Sequence, residues 1–555
     1  MRANYMRYGA RMSSATERTR SFWAWGFEEQ FPDADERQIL SQSAAALLQV
    51  PPPPPLPLPR WEDVRLPPPR LPPPVELAAI ADFADRSRAL HCYGKSFPDQ
   101  LRAFALQFTS PPDFVLYPRD EADIARCLRA CAAAAVAAVP FGGGTSVVAG
   151  VECPLPGGFA GVAALDLARL DRVLEIDPTS RAARIQAGAT GPAIEAQLAP
   201  HGLTLRHYPQ SFEFTTLGGW LATRAGGHFA TVYTHIDDLV QAVRLVTPGG
   251  IVQTRRLPAS GAGPAPERLF LGSEGALGVF SEAWLRLQKR PHLRSTASVH
   301  FADIAGAVAA TQAVAQSGLF PSNCRLLDSG EAMLAGAGTQ PTLLLGFESA
   351  DRPVRERLES ALELALQHGG VCPAGAQHRE GPARDGADGS SEAWRRAFLA
   401  APYRQSALLA CGFLADTFET ACTWERFPEL SRAIRHRVRA ALKEHCGAGH
   451  LMMRFTHVYP DGPAPYFTYV APLPGADAPP AQLLARAMGA WQAIKAAASD
   501  AIAAAGGTIT HHHAVGRTHK PWYGEEIPTL FGQVLRDAKG RLDPQQILNP
   551  GVLLP

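Results

Sequence analysis

An apolar run that ends in Pro140-Phe141-Gly142-Gly143-Gly144-Thr145-Ser146 constrains this chain more than any other stretch. A glycine-rich turn bares successive backbone N–H groups, and without Cβ atoms the main chain accepts the close approach of a pyrophosphate. The segment is not G-x-G-x-x-G on a dinucleotide-binding strand, and it lacks the lysine of G-x-x-x-x-G-K-[ST]. Taken alone, it reads equally well as a flexible turn. Three later stretches break the tie. Gln210-Ser211-Phe212-Glu213-Phe214-Thr215-Thr216 runs into Leu217-Gly218-Gly219, and Thr223-Arg224-Ala225-Gly226 follows. Gly272-Ser273-Glu274-Gly275-Ala276-Leu277-Gly278 then leads into Val279-Phe280.

A length of 555 residues predicts two or more domains. Hydrophobic residues at 46% and charged residues at 19% suit a globular protein with an ample core, and a net charge of +1 gives no field for nucleic acid. The nine cysteines are dispersed, without C-x-x-C or a metal-ligand pairing with histidine, which reads as reduced thiols in a cytoplasmic protein. No metal is expected. No stretch reaches the ~18 apolar residues of a membrane span. The basic first residues lack an apolar core of a secretory signal, and Val552-Leu553-Leu554-Pro555 is not a peroxisomal address.

Residues 1–75 read as an arm: an aromatic patch at Phe22, Trp23, Trp25 and Phe27, a helix near Arg37 to Leu48, then proline tracts at Pro51–Pro55 and Pro67–Pro74. Proline favours extended polyproline II, which serves either as a strap on the protein surface or as an SH3-type ligand. From Phe114 strands and helices alternate. Phe114–Tyr117 reads as a strand, Glu121–Ala138 as an alanine-rich helix, and Leu174–Ile176 with Ala183–Ala187 as a hairpin. Gly191–Ala199 is a helix stopped at Gly202, and Val240–Val246 with Ile251–Thr254 is a second hairpin. After about residue 290 a β-α-β rhythm restarts: strands at Thr296–Phe301, Asn323–Leu327 and Leu343–Phe347, helices at Ile304–Ser317 and Arg352–His368. Gly375–Ser391 is expected as a mobile loop.

In this order and spacing, the four glycine-bearing stretches resemble the FAD-binding domain of the vanillyl-alcohol-oxidase type. The resemblance implies an α+β fold with a two-part FAD-binding domain and an α+β cap, or substrate, domain built on an antiparallel sheet. The expected division is 76–290 for FAD, 291–505 for the cap, and 506–555 returning to the FAD domain through Leu542–Asn549. Pro140 to Ser146, Gln210 to Thr216, Thr223 to Gly226 and Glu274 to Phe280 are the cofactor-binding residues that it implies. No histidine stands in the glycine loop where covalently flavinylated relatives carry one, so FAD is expected noncovalent.

His511-His512-His513 lies between Gly506-Gly507-Thr508-Ile509-Thr510 and Ala514-Val515-Gly516-Arg517. Such a turn presents imidazoles to a flavin ring, with Arg517 or Lys520 offsetting negative charge. Surface histidines at a helix end are the plain alternative; a metal tract lacks a carboxylate or cysteine in the same segment. Together with Trp220, Phe418-Glu419-Thr420, Pro465-Tyr466-Phe467 and Trp25-Gly26-Phe27, the triplet resembles the alkylglycerone-phosphate synthase (alkyl-dihydroxyacetonephosphate synthase) family over nearly the whole chain. That resemblance implies exchange of the acyl group of acyl-dihydroxyacetone phosphate for a fatty alcohol, forming an ether lipid precursor through a flavin N5 adduct without net redox. It assigns Tyr466 as general base, His511, His512 and His513 as its helpers, and Arg325 as a stabiliser of the site. A free phenol titrates near ~10, so the base role needs cationic or hydrogen-bonding help.

The family's substrate-phosphate arginine stands two residues after a tyrosine. Here Tyr403 is followed by Arg404 and Gln405, so the expected position holds Gln405 and the charge moves to Arg404. Ser96 replaces a family cysteine. The partner implied is a small-molecule lipid substrate, with a homodimer and peripheral membrane contact left open. A FAD-linked 2-hydroxy-acid dehydrogenase or oxidase is the competing reading, but no H-G-D-G-N segment is present. A non-catalytic flavin-binding scaffold is the third, and retention of Tyr466, Arg325 and the triplet argues against it.

Overall fold

The computed structural model of the chain describes residues 18–229, 231–381 and 390–554, with side chains from 400 onward in the last stretch. They divide into two units. The first comprises 58–227, 235–289 and the C-terminal stretch from 509; the second comprises 18–57, 228–234 and 290–508.

In the first unit the segment expected as one helix over 121–138 is two elements. Glu121–Ala133 is helical, Ala135 takes a left-handed φ of 51°, and Val136–Phe141 is a strand. Helix propensity of alanine yields here to a partner: the strand is almost wholly buried and pairs in parallel with Gly161–Asp166. Phe114–Leu116 and Ala81–Asp82 complete that four-stranded sheet. Both expected hairpins form, Val173–Asp177 with Ala182–Gln186 and Val240–Thr247 with Gly250–Gln253. They join through Val279–Arg286 into a five-stranded antiparallel sheet. Gly191–Leu198 is helical and the chain turns at Gly202 with φ 67°.

The C-terminal stretch adds to the parallel sheet. Ala138 N–H donates to Ile547 O at 2.8 Å and Asn549 N–H to Ala138 O at 2.9 Å. Buried Asp543 fixes this crossing, accepting from Lys539 Nζ at 2.5 Å and from Leu548 N–H at 2.8 Å. Lys539 Nζ also reaches Ala276 O and Leu548 O, both at 2.8 Å, so the buried ion pair is fully hydrogen-bonded.

The second unit is built on a seven-stranded antiparallel sheet. Its strand order is Gln377–Glu380, Leu293–His300, Thr342–Ser349, Asn323–Leu327, His450–Val458, Pro463–Pro472, Phe413–Glu419. Helices Ile304–Gln316, Arg355–Gln367, Phe427–Cys446 and Pro480–Ala504 pack on it. Of the segment expected as a mobile loop, Gln377–Glu380 forms the edge strand and Ser390 begins a helix, while 382–389 lie outside the described residues.

The arm is part of this architecture. Asp33 and Glu36 form a capping box on helix Ala34–Leu48, whose Ala44, Ala45 and Leu48 pack against Leu408, Phe413 and Met452. Gly26, at φ 77°, lies against the Tyr403 ring, and no side chain fits there. Leu56 N–H donates to Ala410 O at 2.8 Å, so the first proline tract runs over the second unit as a strap. Farther on, Arg70 Nε pairs with Asp113 at 2.9 Å in the first unit.

Candidate active site

The parallel strand Val136–Phe141 delivers the glycine loop, and its neighbours leave no room for side chains. A Cβ on Gly142 would collide with Thr216 Oγ1, and one on Gly143 with the Phe214 carbonyl. Gly144 has φ 65°, and Gly275 (φ 77°) lies against Pro140. Thr216 Oγ1 accepts from Gly219 N–H at 3.3 Å and caps helix Leu217–Thr223, which ends at Arg224 in the left-handed region. Glu274 N–H donates to Ala222 O at 2.8 Å, docking the fourth stretch on the same helix. All four stretches thus converge. The amides of Gly142, Gly144 and Thr145 lie buried or half-buried and meet no acceptor among the described residues. An anionic group seated in the loop satisfies them, so these residues fit a diphosphate.

Glu274 was expected among the cofactor-binding residues; its carboxylate is instead committed to the protein. It accepts from Val515 N–H at 3.0 Å and from Gly516 N–H at 3.0 and 2.9 Å. Its main-chain carbonyl accepts from Asn549 Nδ2 at 2.7 Å, and that amide also reaches Gly150 O at 3.0 Å. Arg517 N–H donates to Val148 O at 2.9 Å. These bonds hold the segment after the histidine triplet beside the glycine loop. Arg517 Nη2 is spent on Pro550 O at 2.9 Å and Lys520 Nζ on Gly551 O at 3.2 Å. The cations expected to serve the flavin thus anchor the C-terminal turn.

His511, His512 and His513 occupy a bend, not a helix end. His511 and His512 approach through their Nδ1 atoms at 3.2 Å, and the His512 and His513 rings lie 4.9 Å apart. Two histidines that sequence reasoning passed over join them. His235 Nε2 is 3.1 Å from His511 Nε2, and its Nδ1 is 2.9 Å from Arg224 O. His207 packs edge-on to Trp220 at 4.9 Å, and burial drives its pKa down to about 3, with His235 and His512 adding to the shift. The Arg224 side chain pairs with Asp237 at 2.7 Å.

The remaining expected residues belong to the second unit. Tyr466 lies in register with Arg454 on one side and Glu419 on the other. Its Oη donates to Thr417 Oγ1 at 2.9 Å, and the Arg454 guanidinium sits 4.0 Å from its ring centroid. Burial pushes the phenol up to about 12, against the pull of Arg454 and Thr417, so at neutral pH it is protonated. Arg454 itself binds Glu331 through both carboxylate oxygens, at 3.2 and 3.1 Å. Arg325 is buried and donates to His228 O at 2.5 Å; burial, then Arg454, holds its pKa far below the usual range.

Gln405 is not placed to meet a phosphate. Its Oε1 accepts from Trp25 Nε1 at 3.2 Å, and its Nε2 donates to Ala415 O at 3.0 Å and Asp416 Oδ1 at 3.2 Å. Both ends of the amide serve the arm and the sheet. Neighbouring Arg404 is half-buried and has no ion-pair partner among the described residues. Ser96 is a helix N-cap, accepting from Asp99 N–H.

Residues 112–255 match the family described as FAD binding domain, and residues 290–553 match FAD linked oxidases, C-terminal domain. These matches define a FAD-dependent enzyme. Alkyldihydroxyacetonephosphate synthase of Caenorhabditis elegans is 30% identical over 495 residues, covering 83% of this chain and 79% of its own. The Trypanosoma brucei brucei enzyme of that name is 28% identical over 516 residues, 88% of this chain and 82% of its own. A solved structure of an alkyldihydroxyacetonephosphate synthase superposes with a TM-score of 0.77 at 23% identity, covering 96% of this chain and 98% of its own. The chain belongs to the alkyldihydroxyacetonephosphate synthase family.

Glu274 makes the anchoring testable through pH. Burial raises its carboxyl from an ordinary 4.5 to about 7, against the pull of the Gly516 and Val515 amides and of Arg517. The folded state thus holds this proton more tightly than the unfolded state. The resulting stability is complete below about 4.5 and is lost as pH rises through about 7. Glu274→Gln stays neutral and still accepts from Val515 and Gly516. Across that window the melting temperature of the parent should fall relative to the variant. Parallel curves for the two proteins would remove Glu274 from the linkage.

Proposed function

We propose that this protein exchanges the acyl group of acyl-dihydroxyacetone phosphate for a fatty alcohol, releasing fatty acid and forming the ether bond of an alkyl lipid precursor. One observation carries this reading: the segment that follows the histidine triplet is bonded, at Val515 and Gly516, to Glu274 within the unit that holds the glycine loop. Bound noncovalently, FAD supplies an electrophilic ring that retains the ketone while one chain leaves and the other enters. The cofactor residues are Pro140–Ser146, Gln210–Thr216 and Thr223–Gly226, with the turn at Gly275–Phe280 supporting them. The substrate unit spans 291–505, and 506–555 returns to the flavin unit.

Tyr466 moves the proton at its Oη. Its phenol is protonated at rest, so it accepts a proton only after giving its own away. The Arg454 guanidinium over the ring stabilises the phenolate that results. Arg325 adds a second buried cation to the same sheet. Arg404 binds the substrate phosphate, because the Gln405 amide is occupied and a neutral amide is a weaker partner for phosphate. The fatty substrates place the enzyme at a cytoplasmic membrane surface as a peripheral protein. Leu530, Phe531 and Val534, exposed by 75%, 50% and 56% on helix Thr529–Leu542, support that. No helix among the described residues is long and apolar enough to cross a membrane.

Turnover under anaerobic conditions without an electron acceptor tests the reaction class. Ether product should form at the aerobic rate; dependence on a dye or quinone would establish a dehydrogenase instead. In the same assay Tyr466→Phe should keep FAD and lose ~10²–10⁴ in rate, the usual cost of a missing general base. Activity within a few-fold of the parent would take Tyr466 out of the chemistry. Arg404→Ala should raise KM for the phosphorylated ketone at least ~10-fold, the scale of one charge-assisted contact, with FAD retained. An unchanged KM would place the phosphate elsewhere.

A further inference from the structure

His235 stands outside every stretch that the sequence singles out, yet it closes a chain of histidine contacts. That chain begins at a group with fixed polarity. The Arg224 carbonyl accepts and never donates, so the His235 Nδ1 that lies 2.9 Å from it carries the proton. A neutral imidazole has one N–H, which leaves Nε2 of His235 as an acceptor. His511 Nε2, 3.1 Å away, must then donate, and His511 Nδ1 becomes its lone-pair nitrogen. The His512 Nδ1 at 3.2 Å must donate in turn. Its remaining nitrogen, Nε2, is left with the lone pair.

We propose that His235 is the positioning residue of this site, fixing the tautomers of His511 and His512 so that His512 presents Nε2 as a proton acceptor. Burial supports the neutral form of His235, reinforced by the charge of Arg224. The Arg224 carbonyl and Asp237 act in the opposite sense, and Arg268 shares Asp237 with Arg224. His207, held neutral by burial, adds no charge beside the chain. The tautomers also set a direction for protons. A proton taken at His512 Nε2 releases the one on His512 Nδ1 to His511 Nδ1. One proton enters and its charge is held on His511, whose Nε2–H keeps donating to His235 Nε2. Burial keeps the charge off His235. The catalytic consequence rests on the proposed acyl-for-alcohol exchange; the tautomer assignment does not.

The test is a long-range proton–nitrogen correlation spectrum of the FAD-loaded enzyme labelled with ¹⁵N-histidine, with His512 assigned by its loss in His512→Gln. His512 should be the Nδ1–H tautomer, the minority form of a free neutral histidine, and His511 the Nε2–H form. His235→Leu removes the acceptor, so His512 should shift toward Nε2–H and anaerobic turnover should fall roughly 10- to 100-fold, below the full loss of a general base. His235→Gln places an amide oxygen where Nε2 was; it should restore the parental tautomers and recover most of the turnover lost in the leucine variant. Flavin absorbance of each variant reports that the fold is retained. A parental His512 in the Nε2–H form, or tautomers unchanged in His235→Leu, would overturn the proposal. Tautomers that follow His235 in an enzyme without exchange activity would support His235 and sink the proposed reaction instead.

Discussion

A single buried carboxylate ties the C-terminal stretch into the first unit. Glu274 sits at a left-handed turn, φ 51°, that the flanking glycines Gly272 and Gly275 make accessible. From there its side chain takes the amides of Val515 and Gly516 while its carbonyl takes the Asn549 side chain. The histidine triplet stands immediately before those amides. Without that carboxylate, two buried N–H donors would be orphaned, a loss of ~1–3 kcal/mol each. The placement of the segment that follows the triplet depends on it.

The second unit solves a different problem, how to keep charge inside a sheet. Arg454 is buried because Glu331 meets it with both oxygens, and Thr468 Oγ1 donates to the same carboxylate at 2.6 Å. That pairing fixes the guanidinium over Tyr466. A lysine could not cover the ring face and bind both oxygens at once. Nearby, Asp416 gathers Trp491 Nε1 at 2.6 Å and Gln405 Nε2 at 3.2 Å, and it faces Lys495, whose pKa burial lowers to about 8. Through Gln405 this network reaches Trp25, which is how the arm becomes part of the second unit.

The glycine loop, the hairpins at 173–186 and 240–253, and the histidine triplet were legible because their signals are local. A G-G-G after an apolar run or a T-P-G-G between two strands needs no distant partner to be read. The split of 121–138 was not legible: alanine favours a helix throughout, and only pairing with Gly161–Asp166 makes a strand of Val136–Phe141. His235 and Arg454 escaped for the same reason. Each is one residue in an ordinary segment, and His235 meets His511 across 276 positions. Glu274 was visible as part of a motif, but its task was hidden, since its amide partners lie 241 and 242 residues away. The task of Gln405 was hidden in the same way, since the Trp25 that donates to its amide lies 380 residues earlier.

The central claim is that the flavin holds substrate without net redox. The most direct measurement is the ultraviolet–visible spectrum of the purified enzyme under anaerobic conditions, first with acyl-dihydroxyacetone phosphate alone and then with a fatty alcohol added. The flavin bands should change on the first addition. The alcohol alone should then return the oxidised spectrum, with ether product formed and no acceptor consumed. A spectrum that stays unchanged, or a bleached one that recovers only with oxygen, a dye or a quinone, would contradict it.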